Sequence, residues 1–573
     1  MKNLLLSAGI LVVISCFTSC HSGTNSAADV ITADSLVIAM GNTVFHQHCS
    51  GCHNFRQDGI GPQLSGLTTK VSADWIRHFV KNPQQIISSG DQRAGQLFKK
   101  YKTLMPSFSG LPDSALNGII AFLNIHRLSV PHTVQSLGTA IDNPIPERIG
   151  LSNLVVRLKL VTRLPPSADS GKHPAARITK LDYEPGTGDL FVLDLRGKLY
   201  KLRKDKQPLV WLDLAKEKPA FINEPGLATG FGSFAFHPDY ARNGIFYTTH
   251  TEKPGTARAD FGYPDSLKVA MQWVLTEWKS KNPSASVFSG TNRELLRVNM
   301  ISGTHGMQEI VFNPLARPHD KDYGLLYIGI GDGGSVDDGY PFLAHNLKMI
   351  YGTILRIDPR GRNSANRQYG IPGDNPFANN RNKIPGEIYA YGFRNPHRIT
   401  WTRSGEMLAC NIGQTNIESV NLIQPGHDYG WPFREGNFLL DPYGNLDKIY
   451  PLPANDSALK YTYPVAEFDH DEGNAISGGL EYQGKAIPQL QGKYLFGDIP
   501  SGRLFFINTA EIKQGKQAQL KEWKIAIEKG LPETFRELIP DGRVDLHFGR
   551  DSRGEIYILT KWDGNLYKLL RAE

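Results

Sequence analysis

Hydrophobic positions follow three regimes along the chain. Residues 4–15 (LLLSAGILVVIS) form an unbroken apolar run behind the positive charge of Lys2. The run is too short to span a bilayer and predicts a secretory signal over residues 1–20. Between residues 36 and 130 the apolar positions take helical spacing. Leu116, Ile119, Ile120 and Leu123 fall at i, i+3, i+4 and i+7, which predicts an amphipathic helix over 113–127 with Asp113 as its N-cap. Beyond residue 150 the pattern changes to short β-type runs bounded by turn residues. Six of them open on a glycine just before a hydrophobic and aromatic pair, at Gly188, Gly244, Gly324, Gly405, Gly492 and Gly554. Two units also end alike, in Gly197-Lys198-Leu199-Tyr200-Lys201-Leu202 and Gly564-Asn565-Leu566-Tyr567-Lys568-Leu569. The expected fold class is therefore mixed, a small all-α domain (36–130) followed by an all-β six-bladed propeller (151–573). The units are long enough to leave loops that build a site on one face. Residues 131–150 hold three prolines and little periodicity, and predict a linker.

Length and composition agree with this division. At 573 residues the chain exceeds what one core sustains, and 40% apolar with 21% charged residues is the balance of a folded protein. The net charge of +7 is scattered, with no block of like charge, so no nucleic-acid partner is expected.

The five cysteines, at 16, 20, 49, 52 and 410, carry most of the legible chemistry. Phe17-Thr18-Ser19-Cys20 resembles a bacterial lipobox, in which the cysteine is lipidated and becomes the new N-terminus. Residues 21–35 then serve as a tether, and the protein is expected to be exported and lipid-anchored to a membrane, facing the periplasm or the cell surface. Cys49-Ser50-Gly51-Cys52-His53 matches C-x-x-C-H, whose thiols add to the haem vinyls while the histidine ligates iron, so one covalent haem c is expected. Cys410 is left unpaired, and no disulfide is expected. Gly61-Pro62 and Leu104-Met105-Pro106 follow the haem motif, and Gly41 and Phe45 precede it, in an arrangement similar to class I cytochromes c. That resemblance makes Met105 the sixth iron ligand and Gly41 and Phe45 part of a crossing between first and last helices. Histidine opposite methionine suits electron transfer and leaves no open position for substrate.

Four ordered motifs in the β region resemble the glucose/sorbosone dehydrogenase family. They are Phe234-Ala235-Phe236-His237-Pro238-Asp239, Tyr327-Ile328-Gly329-Ile330-Gly331-Asp332-Gly333-Gly334, Glu387 to Pro396 (EIYAYGFRNP) and Tyr429-Gly430-Trp431-Pro432. The resemblance implies a six-bladed propeller and, in its soluble members, pyrroloquinoline quinone (PQQ) as cofactor. It makes His305 the base that takes a sugar hydroxyl proton, an apt role for imidazole. Arg394 and Asn395 correspond to a pair lying against the quinone. Asp332 either takes part in catalysis, by orienting His305 or assisting at the substrate, or is a turn residue. Departures stand beside these matches. Ile412-Gly413-Gln414 replaces the Gln-Gly-Pro that donates carbonyls to calcium, Ala228 stands where a glutamine is expected, and the family's later basic residues find no counterpart around Gly497-Asp498. Calcium is carried as an expectation, with Asp332 and Glu418 as candidate carboxylates.

The joined domains suggest a dehydrogenase that oxidises a sugar or polyol on the propeller. Electrons would pass to the fused haem and then to a downstream periplasmic or membrane acceptor. The alternative is a non-catalytic glycan- or protein-binding propeller tethered to an electron carrier, since fold alone does not decide function.

Overall fold

The computed structural model describes residues 31–50, 52–53, 55, 60–126, 137–224, 228–263, 267–540 and 542–573. The expected signal, Cys20, most of the tether and the start of the linker lie outside the described residues.

The N-terminal unit is a small helical domain. Helix α1 (Ser35–His48) starts where the Asp34 carboxylate accepts from the Leu36 and Val37 amides, and it crosses the last helix of the domain, Asp113–Ile125. The crossing is close because both helices present glycine there. A Cβ on Gly41 would overlap the Gly118 carbonyl. Phe45, Leu116, Ile119, Ile120 and Leu123 are buried together beside it, as the spacing predicts. One expectation is corrected: the N-cap is Pro112, so Asp113 is the first helical residue, where its charge suits the helix N-terminus and pairs with Lys81 at 2.6 Å.

The rest is a large all-β region. Five antiparallel arrays of four strands span 178–213, 231–300, 307–391, 396–469 and 476–527. A sixth comprises three strands within 546–572, completed by Gly150–Arg163, the first strand of the region in sequence. That strand runs antiparallel to the C-terminal strand, with Leu158 opposite Leu569, and parallel to Lys521–Ile527, with Val156 opposite Ile525. The first strands of successive arrays pack against one another, and Leu546–Arg550 of the last pairs back onto Ile178–Tyr183 of the first. The cores lie between neighbouring arrays. Tyr247, Leu275 and Leu296, for example, interleave with Ile310, Ile328 and Leu355.

Each of the six glycine-led motifs is the start of the second strand of an array. All six glycines have positive φ, between 63° and 101°, where a side chain would be strained, which is why glycine recurs at the turn into that strand.

The helical domain sits against the β region. Lys102 donates to the Asp471 carbonyl at 2.9 Å, the Arg536 guanidinium lies over the Phe98 ring, and an Arg543 N–H points at Cys52 Sγ at 4.0 Å.

Candidate functional site

Two cavities share the seam between these units. The first belongs to the helical domain. Helix α1 ends at Cys49, whose amide still bonds the Phe45 carbonyl, and the following turn brings Cys52 and His53 to the same cavity. His53 Nδ1 lies 2.8 Å from the Pro62 carbonyl, which sets the tautomer that leaves the lone pair on Nε2. A Cβ on Gly61 would run into the His53 ring, so the glycine of the Gly61-Pro62 pair is demanded by the histidine's seat. His53, Cys49, Cys52 and Met105 all line this cavity of about 1050 Å³, whose other walls are mostly apolar, including Ile76, Leu97 and Leu123. Two thiols at one edge, with nitrogen and thioether donors in an apolar chamber, fit haem c. Cys410 is a buried free cysteine on a strand, as expected of the unpaired thiol.

The second cavity, of about 1120 Å³, opens in the β region beneath the haem motif and counts Ser50, Cys52, His53 and Ile60 in its walls. Its β-region residues enter first strands or leave second strands, so one end of the arrays supplies them all. His305 precedes the first strand of the third array, with φ at +50°, an unusual conformation for a non-glycine residue. Asp332 follows the second strand of that array. Its Oδ1 lies 2.7 Å from His305 Nδ1 and also accepts the Gly334 amide, while Oδ2 accepts the Trp431 indole N–H at 3.0 Å. Burial would raise this carboxyl, but His305, and behind it Arg394, outweigh burial and hold it below the usual carboxylate range. Asp332 therefore fixes the His305 ring through Nδ1, and His305 lines the cavity.

Arg394 and Asn395 precede the first strand of the fourth array. The Arg394 guanidinium donates to Gln414 Oε1 and the Gly413 carbonyl, both at 2.6 Å, and pairs with Asp337 at 3.4 Å. Gln414 Nε2 in turn donates to Asp337 at 2.5 Å. The segment Ile412-Gly413-Gln414, met in the sequence as a departure, is thus the bracket that holds Arg394. Ala228 also lines the cavity.

Sequence reasoning missed half of this site. Arg177, Arg543 and Lys561 line the cavity, all nearly buried, so the basic residues sought around Gly497-Asp498 come instead from the first and last arrays. Burial lowers Lys561 to about 8 and Arg177 to about 10, the mark of cations held away from water. Arg543 is held charged because Asp545, 3.0 Å from its Nε, outweighs burial. Both ring nitrogens of His397, both of His547, Asn395 Oδ1 and Thr179 Oγ1 are buried without a hydrogen-bond partner, and all four residues belong to the first strands or their entry turns. Three of those residues, with the two histidine rings 5.7 Å apart, line the cavity beside the cations, as does Thr179. Unsatisfied polar atoms of this kind are costly unless a ligand meets them. Buried cations and unmet polar groups fit a planar, polycarboxylated quinone such as PQQ. The signal was a period-two pattern, Arg543-x-Asp545-x-His547 and Asn395-x-His397, which sets polar residues on one face where a strand begins.

The two carboxylates named for calcium are both engaged within the protein. Every oxygen of Asp332 and Glu418 is engaged, those of Glu418 by the Gly413 and Ile476 amides and His470. Among the described residues no group of three or more His, Cys, Asp or Glu is placed to hold a metal ion.

Residues 181–530 match the Glucose / Sorbosone dehydrogenase family and residues 38–126 match Cytochrome c. The chain belongs to the glucose/sorbosone dehydrogenase family and carries a cytochrome c domain ahead of it. It is 26% identical over 397 residues to quinoprotein glucose dehydrogenase B of Acinetobacter calcoaceticus, covering 61% of this chain and 76% of that protein. It is 29% identical over 388 residues to HIPL1 protein of Arabidopsis thaliana, covering 60% of this chain and 53% of that one. The chain thus spans about half the length of the HIPL proteins it matches. The apo-form of the soluble aldose sugar dehydrogenase of Escherichia coli shares the fold, with TM-score 0.51, 18% identity, and coverage of 72% of this chain and 99% of that one.

Proposed function

We propose that this protein is a quinohaemoprotein dehydrogenase that oxidises a sugar or polyol hydroxyl in the β-region cavity and delivers the electrons to its own haem c. The six arrays are read as blades of a six-bladed propeller, supported by first strands that neighbour one another in sequence order and by the return of the sixth array onto the first. The observation that carries the function is one cavity in which a carboxylate-oriented histidine, a bracketed arginine and unmet buried polar groups lie under the haem motif.

When bound, PQQ supplies a two-electron acceptor for hydride, and haem c takes electrons one at a time. The chain's own residues do the rest. His305 Nε2 takes the hydroxyl proton, and Asp332 at Nδ1 holds the ring in position and stabilises the imidazolium that results. Arg394, fixed by Gly413, Gln414 and Asp337, offers a positioned cation to developing negative charge without reorganising. Arg177, Arg543 and Lys561 would hold carboxylates, with His397 and His547 as donors deeper in the cavity. His53 and Met105 would hold the iron. Arg543 reaches both cavities and sets a cation between them. Calcium is left without an assigned carboxylate, and export with lipidation at Cys20 completes the proposal.

The test is direct. Haem-loaded protein given PQQ and an aldose should show haem reduction in the absence of any added mediator. An oxidised haem with every sugar and polyol tried, despite bound PQQ, would sink the dehydrogenase reading and leave a binding module.

A further inference from the structure

The haem cavity and the β-region cavity touch at four residues. Cys52, His53 and Ile60 come from the helical domain, and Arg543 comes from the β region. Among the described residues Arg543 is the one β-region side chain in the wall of the haem cavity. It also lines a third cleft, whose walls include Met105 and Pro106. One guanidinium thus shares walls with both Cys52 and Met105.

Its seat is built. Arg543 is buried, an N–H points at Cys52 Sγ at 4.0 Å, and Nε lies 3.0 Å from Asp545 Oδ1. Asp545 lines the β-region cavity and not the haem cavity. The ion pair is therefore oriented, with its cation toward the haem cavity and its carboxylate away from it. Among the described residues Arg93 is the other arginine or lysine in the haem-cavity wall, and it belongs to the helical domain. Arg177 and Lys561 line the β-region cavity and do not reach the haem cavity.

A charge held away from water acts on a neighbouring redox centre through Coulomb's law, with little screening. Reduction of the haem iron adds one electron, and no proton or bond moves at Arg543. A nearby cation favours the reduced state and a nearby carboxylate opposes it. We propose that Arg543 sets the haem potential from the β-region side, raising it so that electrons released in the neighbouring cavity run toward the iron. This rests on the reading of the two cavities as the seats of haem c and PQQ. It makes the β region part of the haem's electrostatic setting, although the candidate iron ligands His53 and Met105 both come from the helical domain.

Spectroelectrochemical titration of the full haem-loaded chain without PQQ reads the haem potential and needs no turnover. Arg543→Gln should lower the midpoint by about 59 mV, a tenfold change in the ratio of reduced to oxidised haem at fixed potential. The haem spectrum, which reports the axial ligands, should not change. Arg543→Lys keeps the charge and should restore most of the shift. Asp545→Asn frees the cation and should move the potential upward. Asn suits that position, where φ is +51°, so this variant decides alone if Arg543→Gln fails to load haem or alters its spectrum. Arg177→Gln removes a cation that lines only the β-region cavity and should change the ratio by less than about twofold.

A potential that stays put in both Arg543→Gln and Asp545→Asn overturns the inference. So does an equal fall in Arg543→Gln and Arg543→Lys, which would assign the effect to packing, or an equal fall in Arg177→Gln, which would assign it to the general field. In each of these cases wild-type haem reduction by sugar and PQQ would leave the dehydrogenase reading intact. Shifts of the expected signs in a protein that oxidises no sugar support the role of Arg543 and overturn that reading.

Discussion

The haem cavity and the β-region cavity are built in opposite ways. In the helical domain, Cys49, Cys52 and His53 sit within five residues, and the remaining walls are apolar side chains whose identity matters less than their bulk. In the β region, Arg177, His305, Arg394, His547 and Lys561 are drawn from four arrays and spread along the chain from position 177 to position 561. Covalent attachment lets the first cavity tolerate a nearly featureless lining. A cofactor held without covalent bonds needs the charges and unmet donors of the second, and these are purchased in folding free energy, since buried cations and unpaired imidazoles destabilise the protein until a ligand meets them.

The contrast can be broken first at His305. His305→Ala should lower sugar-driven haem reduction on the order of 10² to 10⁴-fold with PQQ affinity kept, measured by stopped-flow absorbance and titration. A variant as fast as the wild type would remove the base from the mechanism. In the helical domain the comparable lesion is steric. Gly118→Val would drive a side chain into the helix crossing at Gly41 and should cost about 1–3 kcal/mol, read as a lower melting temperature of the haem band, with PQQ binding unaffected. An unchanged melt would show that the crossing is looser than the structure has it.

The smallest effect sharpens the electrostatic side. Burial places Lys561 at about 8, below the ordinary lysine value. Between pH 8 and that ordinary value the unfolded chain binds more protons than the folded one, so the quinone-free protein should gain stability as pH rises through this window. An anionic ligand favours the protonated lysine, so PQQ affinity should fall by up to about tenfold per unit above pH 8. Lys561→Met should weaken binding at neutral pH and flatten that slope. A slope identical in both proteins would assign the proton elsewhere.

Legibility in the sequence divides along the same line. The six glycines were readable because a left-handed turn leaves one residue type to choose, and the haem motif because covalent chemistry needs fixed spacing. His305, Asp332, Arg394 and Asn395 came into view through resemblance, and the structure brings His305, Arg394 and Asn395 to one cavity, with Asp332 buried against His305. Lys561 was missed because nothing local marks it, and Arg543 and His547 because their alternation with Asp545 is too short a pattern to stand out from an ordinary strand. Each looks like an ordinary polar residue at the start or end of a strand, and only the meeting of the arrays gives it a role. Ile412-Gly413-Gln414 is the converse case: it stands out in the sequence as a departure, and only the structure shows that Gly413 and Gln414 hold the arginine.

The strand Gly150–Arg163 is made before every other strand of the β region, yet its antiparallel partner is the last, Asn565–Ala572. During synthesis the ring therefore stays open until some four hundred further residues have emerged, and its closure spans the largest loop in the molecule. The helical domain has no such debt to the C-terminus, because its helices close on one another within a hundred residues. The order of assembly follows: the haem domain can fold and receive its haem early, while the strand Gly150–Arg163 waits for the end of the chain. A truncation that removes only the final eight residues would then do more than shorten one array; it would take away the antiparallel partner of the first strand of the region.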